Sequence, residues 1–187
     1  MDSPTTIIGC GGDVSDMQAL ERILLSLSID QNYSPSSSPT SLSAENIHTY
    51  LSKIFYKRRS EFNPLWNAVL VGGLTATGEP FLGSADLLGT TFTAPTLATG
   101  FGTQIAIPIL RRIAPDEEAA SKLTKEQAVE AVKECLKVLY YRDARSSREY
   151  SISVVTKDGV ELKQAEQLEN QSWAFAEGIR GYGRTTA

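Results

Sequence analysis

Between Asn63 and Gly73, in the run NPLWNAVLVGG, the chain changes its hydrophobic period, and this switch most limits the folds open to it. Before it, apolar residues recur at spacings of three and four. Val14, Met17, Leu20, Leu24 and Leu27 form one helical stripe, and Ile47, Leu51, Ile54 and Phe55 form a second. After it, Ala68–Thr75 is a nearly continuous apolar run, Thr77-Gly78-Glu79 reads as a turn, and Phe81–Leu87 alternates. Phe81, Gly83, Ala85 and Leu87 are expected to point inward, with Leu82, Ser84 and Asp86 on the other face. A short third strand at Thr90–Thr93 completes an antiparallel meander.

The remaining elements follow from local signals. Thr5–Gly9 is a strand candidate, and Asp13 is placed to cap the first helix, which ends near Tyr33. The Ser- and Pro-rich segment Ser34–Ser41 reads as a surface loop. The second helix spans about Ser43 to Glu61 and is stopped by Pro64. Gly102–Ile113 is helical in pattern, but Pro108 is expected to kink it or break it into short pieces. Thr124 and Gln127 form a capping box for a helix running to about Tyr141. Tyr150, Ile152 and Val154 alternate, Asp158-Gly159 offers a turn, and Val160 and Leu162 begin the return strand. Strands in blocks, interleaved with paired helices, favour an α+β layered sandwich over a parallel sheet.

Composition narrows the function classes. With 187 residues, 41% hydrophobic and 21% charged, one domain with a substantial core is expected. The net charge of −4 argues against nucleic-acid binding. Lys57-Arg58-Arg59 and Arg111-Arg112, the compact basic clusters, fall at predicted helix C-termini, where cations complement the dipole. Cys10 and Cys135 lack metal-site spacing and are expected as reduced, buried thiols. No apolar stretch reaches the roughly 18 residues of a membrane span, and the N-terminus lacks signal-peptide character. A soluble intracellular protein is the expectation.

Few motifs carry chemistry alone. Gly9-Cys10-Gly11-Gly12 fits neither phosphate-loop spacing and reads as a tight strand-to-helix turn. Gly100-Phe101-Gly102 reads the same way. His48 is the single histidine and has no nucleophile near it in sequence, so a structural place on its helix is expected. Asp86 has no nameable partner for acid–base work. The dense polar cluster Arg142–Ser147 reads, taken alone, as a loop closing a helix with Asp143 paired to an arginine.

Leu139–Ser146, LYYRDARS, is similar to the Y-R-D-A-x-S-G motif that ends a helix in beta-type subunits of the 20S proteasome. Asn63–Asn67, Phe81-Leu82-Gly83 and Leu97–Gly100 resemble in particular the non-catalytic beta type-4 class, which holds the seventh ring position. The similarity runs from about Ile7 to Val160, and the tail Ile179–Gly183 looks like the end of fungal members. The resemblance implies a four-layer α/β/β/α sandwich of antiparallel sheets, the N-terminal nucleophile hydrolase-like fold, with its first strands missing here. A truncated gene model or alternative start is the expected cause, and poor solubility of the isolated chain an expected result.

In catalytic members the Asp and Ser of the motif help to orient an N-terminal threonine; Asp143 and Ser146 are the matching positions. Ser147 stands where the family has glycine. Phe101, between Gly100 and Gly102, stands where catalytic members have serine, which implies a non-catalytic subunit. Residues 1–170 then form the beta-subunit domain. Residues 171–187 form a C-terminal extension whose Trp173, Phe175 and Tyr182 contact neighbouring subunits. Implied partners are other beta subunits of the same and opposite ring and the alpha ring, with no nucleic acid, membrane or cofactor, in cytoplasm and nucleus. The implied role is structural, in ATP- and ubiquitin-dependent degradation. Two alternatives stay open: a free-standing interaction module, and an active hydrolase using a processed Thr5 or Cys10.

Overall fold

The computed structural model describes residues 5–33, 42–169 and 172–177. The expected loop Ser34–Ser41 and Tyr182 lie outside the described residues. Strand β1 (Thr6–Gly12) leads into helices α1 (Val14–Tyr33) and α2 (Ala44–Ser60). The meander β2 (Asn67–Leu74), β3 (Pro80–Asp86) and β4 (Thr91–Thr93) follows. Helices α3 (Gly102–Ile113), α4 (Glu117–Ser121) and α5 (Lys125–Arg142) precede the hairpin β5 (Glu149–Thr156) and β6 (Gly159–Gln167).

The first sheet has the order β1-β2-β3-β4, antiparallel throughout; the second is the β5-β6 pair. Helix α2 lies across β2 and β3, β5 meets β2 and β1 from the other side, and α3 packs on α5. Helix pair, sheet, sheet and helix pair give the four-layer antiparallel sandwich of the N-terminal nucleophile hydrolase type. The core sits between α2 and the first sheet. Leu51 and Phe55 from α2 are fully buried against Val69, Val71 and Ala85, with Leu20 entering from α1. The spacing Ile47-Leu51-Phe55 places one residue per turn on this face, as the sequence pattern requires.

Caps fix the helix ends. Asp13 accepts the backbone N–H of Asp16 at 2.9 Å and starts α1. The Ser43 hydroxyl accepts from Asn46 N–H and starts α2. Thr124 and Gln127 form the expected reciprocal capping box on α5. The cations Lys57, Arg58 and Arg59, and likewise Arg111 and Arg112, stand in last turns as anticipated.

Several expectations are corrected. Gly9–Gly12 is not a turn: it continues β1, pairing Gly9 with Leu70 and Gly12 with Asn67. The edge of β2 supplies partners for these backbone groups, and the reversal is confined to Gly12, at φ 113°. Pro108 does not divide α3, which runs unbroken from Gly102 to Ile113. The ring lies on the exposed side, and the lost backbone bond is offset by packing of Ala106 against α5. Helix α4 was not anticipated; a single polar turn without an apolar stripe starts where Asp116 accepts from Ala119 N–H at 2.7 Å. On β3, Ser84 is buried as well as Gly83 and Ala85: α2 covers the face of Gly83 and Ala85, and the opposite face, which alternation assigned to polar residues, is covered at Ser84 too. Leu87 falls beyond the strand. Cys10 is half-buried rather than buried.

Candidate functional site

A cavity of about 460 Å³ opens between α3, α5 and β5. Gly102, Asp143 and Ser146 all line it, together with Phe101, Cys135 and Ser147. Positions some forty residues apart in sequence thus meet at one place, because α3 and α5 pack along each other and the turn after α5 closes the end. Gly100 is adjacent in sequence but does not form the wall. It is exposed and adopts φ 61°, which turns the chain into α3. The walls are otherwise largely aliphatic, including Leu110, Leu136 and Leu139.

The polar groups at the closed end are turned toward the backbone. Asp143 caps α5, and its carboxylate accepts the N–H of Arg145 at 2.9 Å. The expected pairing of Asp143 with an arginine is thus made to a main-chain N–H and not to a guanidinium. Ser146 N–H donates to the Asp143 carbonyl at 3.1 Å. The Ser146 hydroxyl donates to that carbonyl at 2.7 Å and lies 3.2 Å from the Leu139 carbonyl. The Cys135 thiol donates to the Ala106 carbonyl at 3.7 Å, and burial first, then the Glu134 charge, push it above its ordinary range. A thiol held neutral is a poor nucleophile. Sequence reasoning placed Cys135 on a packed helical face without linking it to the Asp143 cluster; Ala128, Val132 and Leu139 at the same spacing were the available signal.

Elsewhere the structural readings hold. His48 is buried on α2, with Nε2 2.8 Å from the Ser84 carbonyl and its ring 5.4 Å from that of Phe81. Asp86 accepts the N–H groups of Leu88 and Thr90 and shapes the β3-β4 turn. Cys10 lines a different cavity, of about 450 Å³, between β1 and α1, and burial raises its thiol as well. The Thr5 carbonyl accepts from Leu74 N–H, extending the sheet. Trp173 stands edge-on to Tyr141 at 5.0 Å and stacks with Phe175 at 5.7 Å; both tail residues remain exposed. Among the described residues no group of three His, Cys, Asp or Glu side chains could hold a metal, and no helix is long and apolar enough to cross a membrane.

The family model described as proteasome subunit matches residues 3–155. The chain is 44% identical over 181 residues to proteasome subunit beta type-7 of Saccharomyces cerevisiae, covering 95% of this chain and 68% of that protein. It is 43% identical to the probable beta type-7 subunit of Schizosaccharomyces pombe, over 97% of this chain and 68% of the relative. Against proteasome subunit beta type-4 of Xenopus laevis the identity is 42%, with 95% and 70% covered. The resemblance carried by LYYRDARS and the Asn63–Gly73 run thus extends over nearly the whole sequence, and the chain belongs to the proteasome beta-type subunit family.

Proposed function

We propose that this chain is a non-catalytic, structural beta subunit of the 20S core particle, serving ATP- and ubiquitin-dependent protein degradation without cutting substrate itself. The observation that carries the reading is the state of the motif serine. Its hydroxyl is committed to main-chain carbonyls at the end of α5, and the adjacent carboxylate to an N–H, so both stabilise a helix terminus. Phe101, exposed between Gly100 and Gly102, supports it further, since an aromatic ring there offers no hydrogen bond to a reacting group. Its partners in this reading are beta subunits of the same and opposite ring and subunits of the alpha ring, in cytoplasm and nucleus. Residues 171–187 reach a neighbour, with Trp173 and Phe175 exposed for that contact.

The test is a purified particle treated with a peptide vinyl sulfone, which alkylates the hydroxyl of N-terminal threonines by conjugate addition. Label on other subunits with none on this chain is the expected result. Covalent label on this chain overturns the non-catalytic reading, and absence of the chain from the particle overturns the subunit reading.

A further inference from the structure

The connection between α2 and β2 carries a feature that its fold does not require. Helix α2 ends in a Schellman arrangement. Asn63 N–H donates to the Arg58 carbonyl at 3.0 Å and Phe62 N–H to the Arg59 carbonyl at 3.2 Å. This geometry puts Phe62 in the left-handed region, at φ 52°. Glycine occupies that position in most such caps, because a Cβ there is crowded. Phenylalanine holds it here with 95% of its surface exposed, burying almost nothing in return. Four residues on, Trp66 has both backbone groups fixed: its N–H donates to the Asp16 carboxylate at 2.9 Å, and its carbonyl accepts from Asp13 N–H at 2.9 Å. Its side chain is nevertheless 64% exposed. Arg58 Nε, bonded to the Asn63 carbonyl at 2.7 Å, braces the segment between them.

A strained backbone that presents two large aromatic side chains to water from a rigid connection is the signature of a binding anchor, not of a core. Charge indicates the other side. In a chain of net charge −4, the last turn of α2 concentrates Lys57, Arg58 and Arg59 against the single carboxylate of Glu61, which sits 4.0 Å from Lys57. The carboxylates of Asp13 and Asp16 beside Trp66 are engaged with backbone N–H groups. We infer that Phe62 and Trp66 are paired anchors that enter an apolar recess rimmed by carboxylates on a neighbouring subunit. The inference rests on the subunit reading and specifies one docking surface for it.

The test uses the epitope-tagged full chain in host cells, with particles isolated through a different subunit. Phe62→Asn, Trp66→Ala and the charge reversal of Lys57 and Arg59 to Glu are compared for incorporation, and the purified chains for melting temperature. Asparagine tolerates the left-handed backbone, so Phe62→Asn keeps or raises the melting temperature, by up to about 2–4 °C. Incorporation falls roughly ten-fold for each aromatic variant. The charge reversal lowers it as well. Wild-type chain absent from particles overturns the subunit reading itself. Wild-type chain present with both aromatic variants incorporated equally overturns the anchor assignment alone. A gain on charge reversal overturns the acidic rim. A homodimer of the purified chain that Phe62→Asn splits overturns a partner other than a second copy.

Discussion

The Ser146 hydroxyl donates to the main-chain carbonyl of Asp143 at 2.7 Å, so the two polar residues of the family motif hold each other in the turn that ends α5. Their side chains shape the closed end of the cavity by stabilising backbone. Ser146→Ala should therefore cost about 1 kcal/mol of stability, with a fall in melting temperature of about 2–4 °C. Peptide hydrolysis by particles carrying the variant should be unchanged per particle. A loss of turnover at constant particle number would contradict the structural role.

Phe55 is fully buried where α2 crosses the first sheet, beside Leu51, Val69 and Val71. Phe55→Ala should destabilise the chain by about 3–5 kcal/mol through lost burial and the cavity left behind. Urea denaturation followed by far-UV circular dichroism would register this as a lower midpoint at unchanged slope.

Gly12 is the narrowest point of the β1-α1 junction. Its φ is 113°, and a Cβ built there would lie 2.2 Å from the Trp66 carbonyl oxygen. That carbonyl is itself held by Asp13 N–H, so it cannot yield without opening the start of α1. Gly12→Ala should accordingly sharply reduce soluble yield, whereas Gly78→Ala, with open space but a positive φ, should cost far less. Equal yields would show that the junction relaxes.

Acid should weaken the fold through three carboxylates. Hydrogen bonds from Ser15 and the backbone hold Asp13 below its ordinary value of 3.8. A backbone bond and Thr124 hold Glu126, and the Lys125 ammonium holds Glu161, below 4.5. A depressed folded value means that the unfolded chain binds more protons, so stability is present above the ordinary values and is lost as pH falls below them through the lowered folded values. The alkaline limb has the opposite sign. Burial raises both thiols above their ordinary 9.0, so their contribution persists below that value and fades as pH rises past it. Thermal melts from pH 3 to 10 should show a plateau bounded on both sides. Lys125→Met should flatten the acid limb in part, modestly because Glu161 is exposed.

Much of the fold was legible because its signals are local. The stripe of α2, the capping box at Thr124 and the hairpin turn, which falls on Lys157-Asp158 one residue before its expected place at Asp158-Gly159, depend on residues within a few positions of each other. The misses have a common cause. Gly9–Gly12 became strand because β2 lies beside it, α3 survived Pro108 because α5 lies against it, and Ser84 was buried because β3 is covered on the face away from α2 as well. Each was settled by a partner distant in sequence.

The candidate site divides in the same way. LYYRDARS, read with the Asn63–Gly73 run, was conspicuous enough to indicate the family, whereas Gly100-Phe101-Gly102 taken alone read only as a turn. Their meeting in one cavity, the addition of Cys135 to its wall, and the commitment of Ser146 and Asp143 to backbone partners arose only from the packing of α3 on α5. By itself the sequence determined where helices start and stop and which faces are apolar, since short-range sterics, capping and periodicity act between near neighbours. Tertiary structure alone decided which polar groups are spent on the fold and which large apolar side chains, like the exposed rings of Phe62 and Trp66, are left facing outward. Hydrogen bonding and burial are properties of a neighbourhood, and that neighbourhood is assembled from chain segments far apart.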